Sequence, residues 1–317
     1  MKKLLAFLCA TLLLTLTACT GTPAGTTKGD TTPAPTTPLP TTAPDDKPEV
    51  CLSVMSFNIR YLINERDDLP QNENGLKRRE RVVSVLRNQA PDLFGLQEAT
   101  VEWMNYLKGE LSDTYGFIGV GREEGGEGEA SPVCYRLDTF DLLAEGTRWL
   151  SDTPEQVSKV EESSLNRVMS FALLRHKASG KVILFANTHL DHPLSQTGET
   201  ARDKQARVLT SLLLDLWNHS SEKPCALFLT GDFNSVPAGK AYARLTESGF
   251  LDAARHAPDG DTGITYHEYG NDEHSIRIDY CFYLGHAVPA SFSILRDMVD
   301  GDYPSDHYPI LAHFRLD

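Results

Sequence analysis

Six short polar motifs stand at the ends of apolar runs: Ser56-Phe57-Asn58, Leu96-Gln97-Glu98, Asn187-Thr188-His189, Gly231-Asp232-Phe233-Asn234, Arg277-Ile278-Asp279 and Ser305-Asp306-His307. Between them they hold carboxylates, side-chain amides and two imidazoles. Hard oxygen donors beside imidazoles suit Mg²⁺- or Mn²⁺-assisted attack of water on a phosphate ester. Asp232 and Asn234 are separated by one residue, so an extended chain would turn both to one face and send Phe233 to the other. Two groups could then address one phosphate, Asp232 orienting or deprotonating water and Asn234 stabilising charge. His189 ends an apolar run, where a lone histidine is more often a satisfied structural residue than a catalyst.

The elements that must position these groups are legible from periodicity. The first four motifs follow the strand-like runs Val50 to Met55, Leu93 to Leu96, Lys181 to Ala186 and Ala226 to Thr230. The last two precede Tyr280 to Leu284 and Tyr308 to Phe314. Antiparallel neighbours set the end of one strand beside the start of the next, so all six can meet at one sheet edge. Further strands are expected over Pro132 to Arg136, Phe140 to Leu143 and Val168 to Arg175. Helices are predicted over Lys77 to Gln89, Val101 to Leu111, Thr200 to Trp217 and Ala241 to Ser248. The third has the clearest apolar stripe, through Ala201, Val208, Leu209, Leu212, Leu213 and Leu216 with Gln205 among them. Helices spaced among many strands suggest two sheets packed face to face with helices outside.

The 317 residues carry a formal net charge of −14, and the longest basic group, Lys77-Arg78-Arg79, is followed at once by Glu80. A domain gripping long nucleic acid would need a basic face, so processive DNA binding is disfavoured. The acidic, glycine-rich stretch from Arg122 to Glu129 is expected to be a mobile loop that repels polyanions. Residues 1–19 combine two lysines with an apolar run too short to span a membrane, which reads as an export signal. Its ending, Leu16-Thr17-Ala18-Cys19, resembles a bacterial lipobox. That resemblance implies cleavage before Cys19 and lipid on its sulfur, the alternative being a plain secretory signal. Residues 20–47 are rich in Thr, Pro and Gly and read as a disordered tether, with the folded domain over 48–317. Cys51, Cys134, Cys225 and Cys281 lie in strand-like runs without metal-ligand spacing and are expected as buried free thiols.

The six motifs, in this order, closely resemble those of the endonuclease/exonuclease/phosphatase superfamily over roughly residues 50 to 317. Gly119-Val120-Gly121-Arg122, the run Gly128 to Tyr135, Arg167 and Thr265-Tyr266-His267 are similar to a bacterial subgroup, which usually has bulkier residues where Cys134 and Cys281 stand. The resemblance implies an α/β fold, a four-layer α/β/β/α sandwich, with the site at one end of the paired sheets. It implies Glu98 as the principal metal ligand, with Asp306 near the metal. Asn58 would offer its carbonyl oxygen to the metal or hydrogen-bond the phosphate. His189 would contact the scissile phosphate with Asp279 as its orienting carboxylate, and His307 would pair with Glu129. Arg122 and Arg167 would clamp an anion or form structural salt bridges, and His192 and His267 would line the pocket or lie on the surface.

The leading expectation is therefore a lipid-anchored, metal-dependent phosphoesterase on the outer face of a bacterial membrane, acting as a monomer. Its substrate is left open among a small phosphate ester, a lipid headgroup and a short nucleic acid, as is the choice of general acid and base. A non-catalytic surface binding module that kept the fold is the rival reading. None of the core motif residues is missing, which weighs against that rival. No Gly-x-Ser-x-Gly elbow supports a serine hydrolase.

Overall fold

In the computed structural model of the protein, residues 49–62, 68–69, 75–193 and 195–317 are described. The expected leader, the tether and Cys19 lie outside them. Apolar runs of strand length become β1 (Val50–Asn58), β2 (Leu93–Gln97), β3 (Tyr115–Ile118), β4 (Val133–Arg136), β5 (Phe140–Trp149), β6 (Val168–His176), β7 (Val182–His189) and β8 (Ala226–Asp232), followed by β9 (Leu251–Asp252), β10 (Asp279–Gly285), β11 (Ala287–Ile294) and β12 (Ile310–Leu316). Amphipathic stretches become α1 (Arg78–Gln89), α2 (Val101–Leu111), α3 (Gln196–His219), α4 (Lys240–Glu247) and the short α5 (Ala253–His256).

Capping fixes where the helices begin. The Lys77 N–H donates to Glu80 Oε2 at 2.7 Å, which anchors the first turn of α1. The Thr100 side chain receives the Trp103 N–H at the start of α2. Ser195 Oγ accepts from the Gly198 N–H at 3.1 Å and starts α3 a turn earlier than its apolar stripe suggests.

The strands form two six-stranded sheets, ordered β11-β12-β1-β2-β4-β3 and β5-β6-β7-β8-β10-β9. Three apolar clusters define four layers. Leu52, Val54, Phe185, Phe228 and Phe314 fill the space between the sheets. Leu209, Leu213 and Leu245 from α3 and α4 cover the outer face of the second sheet. Val82, Leu86, Trp103 and Leu107 from α1 and α2 cover the outer face of the first. The architecture is the expected α/β/β/α sandwich. Cys134 and Cys281 are buried free thiols as expected, whereas Cys51 is exposed and Cys225 half-buried. Cys51 lies on the part of β1 that turns outward, so an apolar run alone misjudged its face. Among the described residues no helix is long and apolar enough to cross a membrane.

Near the site the sheets are joined by a polar seam. Asn187 Nδ2 donates to the carbonyls of Leu96 and Pro132, and its Oδ1 accepts from Gln97 Nε2 at 2.7 Å and Thr230 Oγ1 at 3.0 Å. Gly95 permits this approach: a Cβ there would fall 2.2 Å from Thr230 Oγ1 and 2.4 Å from Asn187.

Candidate active site

Strand register assembles the site. In the parallel pairing of β7 and β8, His189 lies opposite Asp232, and in the antiparallel pairing of β10 and β8, Asp279 lies opposite the same Asp232. In the other sheet Asn58 lies opposite Gln97, which leads into Glu98. His307, just before β12, bridges to Tyr266. Glu98, Glu129, Arg167, His189, Asp232, Asn234, Asp306 and His307 line a cavity of about 490 Å³ together with Arg60, Tyr61, His192 and Tyr266. That volume is within the range of small-ligand sites.

Asp232 is the hub. Its Oδ2 accepts from Asn58 Nδ2 at 3.0 Å and lies 3.5 Å from His189 Nε2 and 3.8 Å from His307 Nε2. Burial and the nearby Asp279 carboxylate push the Asp232 pKa up to about 7, with His307 pulling the other way. His307 Nδ1 is 2.8 Å from Asp279 Oδ2. Burial alone would lower the His307 pKa, but Asp279, then Asp232 and Asp306, outweigh it and raise it to about 10, which makes the ring an imidazolium at neutral pH. Thr265 Oγ1 receives the Ile278 and Asp279 N–H groups, which fixes the start of β10.

The expected histidine partners are exchanged. Asp279 belongs to His307, and Glu129 lies on the Nδ1 side of His189, with Oε2 at 4.0 Å from Nδ1. The sheet order explains this: β8 separates β7 from β10, so Asp232 stands between His189 and Asp279. His189 accepts at Nε2 from the Asn234 amide at 3.1 Å, leaving its proton on Nδ1. Burial, then Arg167 and Arg122, hold its pKa well below the ordinary value and keep it neutral.

Asn234 reaches His189 by a turn rather than along an extended strand. Its φ is +47°, and its N–H bonds back to Asp232 Oδ1 at 2.8 Å. Phe233 is buried in the core, as its spacing predicts. Arg60 (φ +57°) and Glu98 (φ +62°) share this left-handed backbone, which a non-glycine residue adopts only under constraint.

Glu98 and Asp306 form an acidic wall. Glu98 Oε2 accepts from the Tyr61 N–H at 2.9 Å and Oε1 from Asn58 Nδ2 at 3.1 Å. Asn58 therefore turns its amide nitrogen, not its expected carbonyl, towards the site. Its Oδ1 accepts from the Arg60 N–H because the flanking Glu98 and Asp232 carboxylates both require a donor. The oxygen donors of Glu98 and Asp306 fit a hard divalent cation. Ligand atoms of Asp232, Asp279 and His307 also lie within 4.8 Å of one another. The contact of His307 Nδ1 with Asp279 Oδ2 also suits that group to proton transfer.

Arg167 is buried and lines the cavity, 3.7 Å from Asp191 and 3.4 Å from His192 Nδ1. Arg122 does not line this cavity: it forms a two-pronged pair with Glu129 at 2.9 and 3.1 Å and so positions that carboxylate. His267 is neither cavity-lining nor on the surface. Its buried ring stacks on Tyr308 at 3.7 Å, and its N–H donates to the Asp306 carbonyl at 2.9 Å, supporting the acidic wall. The stretch after Arg122 is held by Gly121-to-Gly126 and Glu123-to-Glu127 backbone hydrogen bonds, an ordered loop where a mobile one was expected. Sequence reasoning missed Arg60 and Tyr61, which follow the Asn58 motif directly, and singled out Tyr266 only as part of a motif.

This strand-end cluster between two sheets defines a phosphoesterase-type α/β/β/α fold, and the chain belongs to the endonuclease/exonuclease/phosphatase family, whose model matches residues 55–307. Among curated proteins none matches the sequence. Similar solved structures include an endonuclease/exonuclease/phosphatase family protein from Bacteroides thetaiotaomicron, 27% identical, covering 86% of this chain and 97% of that one, with a TM-score of 0.74. One from Bacteroides vulgatus is 29% identical, covering 84% and 100%, with a TM-score of 0.73. A mannosyl-6-phosphatase of Bacteroides thetaiotaomicron is 27% identical, covering 83% and 99%, with a TM-score of 0.72. The chain is thus an enzyme of the phosphoesterase type.

Proposed function

We propose that the protein is an exported, lipid-anchored, Mg²⁺- or Mn²⁺-dependent hydrolase of small phosphate esters. The observation that carries the reaction is the placement of Asp232 between neutral His189 and the Asp279–His307 pair, facing a cavity with an acidic wall and a buried arginine. Asp232, with its pKa near neutrality, takes the proton of the attacking water at Oδ2. The His307 imidazolium, held by Asp279, donates from Nε2 to the departing ester oxygen. Arg167 attracts the phosphate, and Asn234 fixes the His189 ring against the cavity wall. Glu98 and Asp306 would hold a divalent cation, which would supply charge neutralisation at the phosphate.

The cavity size and the net charge of −14 favour a small ester over a long polyanion. The likeness to a mannosyl-6-phosphatase favours a sugar phosphate. Anchoring rests on the leader and Cys19. Purified protein should be assayed on sugar phosphates, a choline phospholipid, RNA and linear DNA with Mg²⁺, Mn²⁺ or chelator. Preferential turnover of sugar phosphates is expected, and exclusive turnover of DNA would overturn the reading. Cys19→Ser should release active protein from the membrane fraction with kcat unchanged, and its retention there would refute the anchor.

A further inference from the structure

The cavity wall contains more acid than base. Glu98, Glu129, Asp232 and Asp306 line it, and the lining cations are Arg60, Arg167 and the His307 ring. The His307 ring is committed to Asp279, and Arg167 is enclosed beside Asp191. Arg60 differs from both. Its side chain is 40% exposed, and among the described residues its one carboxylate contact is Nη1 to Asp306 Oδ2 at 3.3 Å. Among the described residues its Nη2 makes only a long 3.5 Å contact with the Tyr61 hydroxyl, over whose ring the guanidinium lies.

The backbone under this side chain is pinned on three sides. The Arg60 N–H donates to Asn58 Oδ1 at 3.0 Å, and its carbonyl accepts from Trp103 Nε1 at 2.8 Å and Arg78 Nη1 at 2.9 Å. Those contacts hold φ at +57°, a conformation glycine would adopt without strain. The constraint delivers a guanidinium with donors that no described residue uses to the cavity that contains the Asp232 hub.

We propose that Arg60 is the residue that selects phosphomonoesters over diesters, its exposed guanidinium edge gripping the terminal oxygens of the phosphate in the cavity that the buried Arg167 also lines. This deepens the phosphoesterase reading and rests on it. A monoester approaches two negative charges at neutral pH, and its non-ester oxygens suit the planar fork of arginine. A diester has one charge and carries a substituent where Arg60 would reach. Against the surrounding carboxylates, the dianion gains most from a second guanidinium.

The test uses the full chain and its Arg60→Gln and Arg60→Lys variants, with folding checked by circular dichroism and thermal melting. Three quantities are measured: kcat and KM on p-nitrophenyl phosphate, the same on bis(p-nitrophenyl) phosphate, and calorimetric binding of inorganic phosphate. The wild type should favour the monoester. Arg60→Gln should lower monoester kcat/KM by roughly 10- to 100-fold, mainly through KM, as expected for loss of charge-assisted hydrogen bonds. It should weaken phosphate binding by a similar factor and depress the diester reaction far less. Arg60→Lys should recover part of the phosphate affinity. Equal losses on the two esters, unchanged phosphate binding in folded Arg60→Gln, or a wild type that prefers the diester would each overturn the assignment. If the wild type hydrolyses neither ester, the hydrolase reading fails, while phosphate binding by wild type and variants still decides the role of Arg60.

Discussion

Asp279 Oδ2 and His307 Nδ1 lie 2.8 Å apart, and both side chains are shut away from solvent. The register that aligns Asp279 with Asp232 therefore also decides which imidazole carries a proton. His307 is hydrogen-bonded to a carboxylate and is charged, while burial, then Arg167 and Arg122, keep His189 neutral.

Asp279→Asn should return His307 from about 10 towards its ordinary 6.5. The ring signals of His307, followed by NMR against pH, would report this directly, and an unchanged titration would sink the pairing. Because the folded-state pKa is raised, its stabilising contribution is complete below the ordinary value and is lost as pH rises through about 10. The melting-temperature gap between wild type and variant should accordingly narrow over that window. kcat near neutrality should fall by roughly 10²-fold or more, the usual effect of removing acid–base assistance.

Glu129→Gln probes the exchanged partners. It should shift the titration of His189, 4.0 Å away, and leave that of His307 nearly unchanged. Arg122→Gln should act in the opposite direction, since the Arg122 charge lowers the His189 pKa and its removal lets that pKa rise. A larger response at His307 would restore the partners read from the sequence.

Chelation should abolish turnover, and Mg²⁺ or Mn²⁺ should restore it. Glu98→Gln should weaken calorimetric Mg²⁺ binding by roughly 10-fold or more, since the site loses a charged hard ligand. Wild-type affinity in that variant would move the ion elsewhere.

Gly95→Ala places a methyl 2.2 Å from Thr230 Oγ1 and 2.4 Å from Asn187. These atoms belong to the inter-sheet seam, so the sheets must part or the Asn187 bonds must break. Overpacking of this kind costs about 1–3 kcal/mol, which calorimetric melting would register as a drop of several degrees. An unaltered melting temperature would show that the seam is compliant.

The sequence revealed most elements because their apolar faces are complete. Trp103, Leu107 and Leu111 recur at helical spacing and are all buried in α2. β11 escaped notice for a physical reason: Pro289 and a bulge before Ser291 interrupt its alternation, which an edge strand tolerates. The motif residues were identifiable by type, but their partners depended on sheet order, which local pattern does not encode. Hence His189 was matched with Asp279 although Asp232 intervenes. Arg60 was invisible because no local feature of Asn58-Ile59-Arg60 announces a left-handed backbone. His267 was misplaced because a polar residue in a motif gives no sign that its ring stacks on Tyr308.

Arg60, Glu98 and Asn234 all have positive φ, at 57°, 62° and 47°. Relieving that strain with glycine would ease folding at each position while deleting a guanidinium, a carboxylate or an amide from the cavity. Selection for thermal tolerance alone would thus drift towards a sturdier but idle scaffold. Any programme to harden this enzyme should leave these three codons untouched and seek its gains in the helices that cover the outer faces of the sheets.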